Sequence, residues 1–180
     1  MLSTDQAPRG GSVWKPFVSR DLDFALTDLA EYFTEPPDGV EAWLRQMRRT
    51  RPLETCVVEV GPELQLTAPT ADESLRVKAY LVVQRNQVRD YLDVVALADH
   101  VGIEHAVEVL QHIDEYYDDR SEQDGSVLTS LVLQLAEPSP RDEPVTRELA
   151  RYKGLVPRWH DWTTVVDACQ VLALRLAGGA

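Results

Sequence analysis

Residues Lys78 to Asp93 read Lys-Ala-Tyr-Leu-Val-Val-Gln-Arg-Asn-Gln-Val-Arg-Asp-Tyr-Leu-Asp. Lys78, Arg85, Arg89, Asp90 and Asp93 interrupt a run that is otherwise built to be buried. Lys78 and Arg85 stand two helical turns apart, so they share a face of a helix. Asp90 and Asp93 stand on one face for the same reason. Val77, Leu81, Val82, Tyr91, Leu92, Val94 and Val95 fill the intervening positions. Charges this close to a core must be paired or used. Two readings follow: a structural ion-pair network joining two helices, or half of a functional site.

A chain of 180 residues, 44% hydrophobic and 27% charged, is long and apolar enough to bury a real core as one domain, with or without an extension. The net charge of -12 argues against nonspecific binding to nucleic acid or anionic membrane over the whole surface, and leaves room for a local basic patch. Cys56 and Cys169 lie far apart with no paired spacing, as free thiols in a reducing cytosol do. No run approaches the roughly 18 apolar residues of a membrane span, and no signal peptide pattern opens the chain. The expectation is a cytoplasmic protein with no membrane segment.

The local pattern predicts an α+β chain. Its β-containing part covers residues 1–70, and a predominantly helical part carrying the Lys78–Asp93 motif covers 71–180. In Asp21-Leu22-Asp23-Phe24-Ala25-Leu26, the apolar residues alternate at strand period, which sets Asp21 and Asp23 on one side. Adjacent carboxylates repel unless a cation or an arginine lies between them; such an oxygen pair suits Mg²⁺, and Asp-x-Asp also arises by chance in an acidic chain. Helices are expected after Thr27 or Asp28 and from Asp38 to Met47. The second carries Arg45, Arg48 and Arg49 on its polar face, followed by Arg51. That cluster is either a solvated face or the natural contact for RNA.

Leu53–Val60 and Leu64–Leu66, parted by Gly61-Pro62, read as a β-hairpin. Thr70 with Glu73 three residues on forms a capping box for a helix ending near Asn86. Further helices are expected at Val88–Val101, stopped by Gly102, and at Ile103–Tyr117. After a polar loop, Ser126 caps a helix closed by Pro138-Ser139-Pro140. A short helix at 143–152 and a last amphipathic one at 161–176 complete the chain.

The order Gly10-Gly11-Ser12, Ser19-Arg20-Asp21-Leu22-Asp23-Phe24, hairpin, Lys78-x6-Arg85 and Arg89-Asp90-x-x-Asp93 resembles the AbiEii-type nucleotidyltransferases. These belong to the DNA polymerase β-like superfamily and include the MenT-like toxins of toxin–antitoxin pairs. The resemblance covers roughly residues 10 to 100, with a shortened glycine turn. It implies a Mg²⁺-dependent transfer of NMP from an NTP to an RNA (tRNA-like) or protein hydroxyl. Asp21 and Asp23 would hold the metal. Lys78 would neutralise phosphate charge, with Asp90 or Asp93 supporting it. Gly11, Ser12, Ser19, Arg85 and Arg89 would contact the nucleotide or the acids. An antitoxin protein and a tRNA, met by Arg45, Arg48, Arg49 and Arg51, are the implied partners. The alternative is a catalytically inactive relative serving as a binding or regulatory module. A third reading is an unrelated helical protein whose Lys78–Asp93 charges are only ion pairs.

Other chemistries lack support. His100, His105, His112 and His160 show no HExxH spacing and no cysteine partner for zinc. Trp159-His160-Asp161-Trp162 reads as packing or an interface, and Asp114-Glu115-Tyr116-Tyr117-Asp118-Asp119 as a solvated helix end or, alternatively, an electrostatic contact with a basic partner.

Overall fold

A computed structural model describes residues 49–59, 65–117, 126–152 and 154–178. The expected glycine turn, the strand at 21–26, the helices before residue 48 and the polar loop at 118–125 lie outside these residues. The described fold is α+β: one two-stranded antiparallel sheet followed by helices.

β1 (Thr55–Glu59) pairs with β2 (Gln65–Pro69), Val57 lying opposite Thr67. The β-branched residues and the Gly61-Pro62 signal between them account for this hairpin. α1 (Ala71–Arg85) follows at once. Thr70 adopts extended backbone and its side chain accepts from the Glu73 N–H, which fixes the helix start. Only this half of the expected capping box forms. The Thr70 N–H donates to the Glu54 carbonyl at 2.9 Å, so the Glu73 carboxylate is left for other partners.

α2 (Val88–Val101) ends at Gly102, whose φ of 92° lies where an L side chain is strained. α3 (Ile103–Gln111) is shorter than its periodicity predicts. A 3₁₀ turn at Ile113–Glu115 replaces its last part. A chain segment from far away packs against this turn: Thr50 N–H donates to the Tyr116 carbonyl at 2.9 Å and Thr50 Oγ1 to the Glu115 carbonyl at 2.7 Å. α4 (Val127–Ala136) is capped by Ser126 as expected, its Oγ accepting from Thr129 N–H. Residues Glu143–Arg151 form 3₁₀ turns broken at Glu148, a short 3₁₀ turn spans Pro157–Trp159, and α5 (Trp162–Gly178) closes the described chain.

Helical spacing builds one core. Leu75, Ala79 and Val82 of α1 meet Tyr91, Leu92 and Val95 of α2, Ala106 and Leu110 of α3, Leu131 and Leu135 of α4, and Val165, Cys169, Leu172 and Leu176 of α5. Trp159 is buried, and Trp162 stands edge-on to Tyr91 with ring centroids 6.0 Å apart. This matches the packing role expected of that aromatic segment.

Candidate functional site

The α1–α2 corner brings the five charges of the opening motif together. Asn86 turns the chain in the left-handed region, at φ 52°, and its N–H reaches the Leu81 and Val82 carbonyls. Its side chain donates to the Ser139 carbonyl at 2.9 Å and accepts from Tyr91 Oη at 2.6 Å. Asp142 then caps α2 from outside, accepting from Val88 N–H at 2.8 Å. So Asn86, Tyr91 and Asp142 fix the angle between the two helices.

At that angle Lys78 Nζ lies 2.7 Å from Asp93 Oδ2, and Arg85 Nη2 lies 2.5 Å from Asp90 Oδ1. Arg89 Nε sits 3.9 Å from the same Asp93 oxygen. Both aspartates are buried, Asp90 completely. Burial pushes the Asp93 carboxyl above the usual aspartate range, although Lys78 and Arg89 pull it down. Asp90 Oδ2 has no hydrogen bond among the described residues. At 2.7 Å the Lys78–Asp93 contact is a charge-assisted pair, Lys78 lowering the Asp93 carboxyl both by its charge and as a hydrogen-bond donor. Of the two readings the motif allowed, the described geometry displays the interhelical pairing.

A second charged cluster lies at the other end of α1. Arg49 Nη1 is 2.6 Å from Glu73 Oε1, and Arg76 Nη1 is 2.9 Å from Glu73 Oε2. The Glu73, Arg49 and Arg76 side chains are 0%, 1% and 6% exposed. Arg76 also holds Glu54 through both terminal nitrogens, at 2.9 and 3.0 Å. Glu73 Oε1 has no aligned hydrogen bond, so Arg49 acts on it chiefly by charge. Arg49 spends its directed bonds on Tyr117 Oη and on the carbonyls of Arg51 and Pro52.

Aromatic rings enclose this cluster. Tyr80 and Tyr117 stack with centroids 4.0 Å apart, and the Arg76 guanidinium lies 4.1 Å from the Tyr116 ring centre. Burial drives the Tyr117 phenol well above its ordinary value. Sequence reasoning missed this cluster by reading Arg49 with a basic surface face and Glu73 as a cap. The available signal was the Glu73–Arg76 spacing on a helix whose next turn, at Ala79 and Tyr80, is apolar.

The acidic run at 114–117 divides in the same way. Asp114 accepts from Ser126 and Leu128 and Glu115 pairs with Arg51, whereas Tyr116 and Tyr117 turn inward.

The remaining expected site residues, Gly11, Ser12, Ser19, Asp21 and Asp23, lie outside the described residues, as do Arg45 and Arg48 of the basic cluster. Among the described residues no three His, Cys, Asp or Glu side chains gather as metal ligands would. No described helix is long and apolar enough to cross a membrane.

Part of the chain is similar to proteins named for export, transport or uptake in Mycolicibacterium and Mycobacterium. The chain is 32% identical over 130 residues to the mycolic acid-containing lipids exporter MmpL11 of Mycolicibacterium smegmatis, covering 72% of this chain and 13% of the exporter. It is 39% identical over 95 residues to the heme uptake protein MmpL11 of Mycobacterium tuberculosis, or 53% of this chain and 10% of that protein. A probable transport protein MmpL11 of Mycobacterium leprae is 35% identical over 95 residues. The chain thus spans about a tenth of the length of these relatives. No family model and no solved structure matches.

These relatives overturn the nucleotidyltransferase resemblance, the toxin–antitoxin setting and the alternative of an inactive nucleotidyltransferase relative. The physical reason lies in the motif itself. A lysine and an arginine two turns apart, facing two acids one turn apart, is also the spacing by which two antiparallel helices cancel each other's charge.

Proposed function

We propose that this chain supplies an extramembrane helical module of an MmpL11-like transport system. Its part is to hold a fixed surface beside the transporter rather than to carry substrate itself. The observation behind this reading is the 39% identity over 95 residues to transport proteins, in a chain whose described helices include none able to span a membrane. Buried charge pairs along α1 favour a rigid unit of that sort, because Glu73 ties the helix to the distant Arg49 and Lys78 ties it to Asp93 of α2. We place the module on the cytoplasmic side, which two unpaired cysteines, Cys56 and Cys169, support.

A segment exchange in the Mycolicibacterium smegmatis exporter tests the proposal. The stretch similar to this chain is deleted, or replaced by this chain's residues, and both forms are checked for membrane insertion before lipid export is measured. The deletion is expected to insert and lose export, and the replacement to restore it. Export undiminished by the deletion, or a stably inserted replacement as inactive as the deletion, overturns the reading.

A further inference from the structure

We draw no further inference here: the strongest candidate, the apolar groove between α3 and α5 lined by Ile103, Val107 and Leu174 and flanked by Glu104 and Arg175, is an unpartnered face, and nothing in the structure shows what covers it.

Discussion

Replacing Glu73 by Gln keeps the shape of the side chain and removes the one charge shared by two arginines. Arg76 retains Glu54, but Arg49, with 1% of its side chain exposed, loses its carboxylate 2.6 Å away. Stranding a buried charge in this way costs about 3–5 kcal/mol. Arg49 keeps its directed bonds to Tyr117 and two carbonyls, so the lower end of that range applies, about 3 kcal/mol. With a urea m-value of about 2 kcal/mol/M, the unfolding midpoint should fall by about 1.5 M at unchanged slope.

Urea titrations followed by far-UV circular dichroism measure this directly. The companion variants are Arg49→Met and the double replacement of Arg49 by Met and Glu73 by Gln. The double variant removes both charges of the buried pair, so it should recover much of the Glu73→Gln loss and give a coupling energy above about 1 kcal/mol. A midpoint shift below about 0.3 M for Glu73→Gln, or additive single and double effects, would refute the view that this pair fixes residues 49–54 to the helices.

Lys78→Met leaves the Asp93 carboxylate without its nearest cation and should cost about 3 kcal/mol near neutral pH. Asp93 is already held above the ordinary aspartate range by burial, so in the wild type its own contribution favours the fold in acid and is lost as pH rises through its folded value. Protonation of Asp93 removes the attraction that Lys78 supplies, so the wild-type-to-variant gap should narrow as pH falls; a gap constant from pH 7 to pH 4 contradicts the pairing. On the alkaline side, burial pushes the Tyr91 phenol and the Cys169 thiol up to about 12, from ordinary values of 10.0 and 9.0. The unfolded chain releases these protons first, so stability should decline once pH passes 9 and more steeply past 10, as urea midpoints across that range will show. A thiol reagent should titrate exposed Cys56 in the native protein and reach Cys169 only after denaturation. Thr70→Ala and Ser126→Ala each remove a helix cap and should cost about 1 kcal/mol, read as a shift in urea midpoint.

Local chemistry by itself determined the hairpin, the starts of α1 and α4, the stop at Gly102 and the amphipathic last helix. Each depends on neighbours within a few residues: a Gly-Pro pair between two β-branched runs, a hydroxyl cap, a glycine at positive φ, a repeat near 3.6. The Lys78-to-Asp93 charges were equally visible as a set that required partners, and the sequence offered pairing among its readings. Tertiary structure decided what distance in the chain concealed. Arg49 meets Glu73 from 24 positions away, so no local pattern distinguishes it from a surface arginine. Thr50 meets the Tyr116 and Glu115 carbonyls, and Arg49 meets Tyr117, from more than 60 positions away, contacts that no helical periodicity in residues 103–117 announces. Glu73 gives up the reciprocal half of its capping box because the Thr70 N–H finds the Glu54 carbonyl and two guanidinium groups claim its carboxylate. Spacing along a helix says which side chains share a face; only the fold says what that face meets.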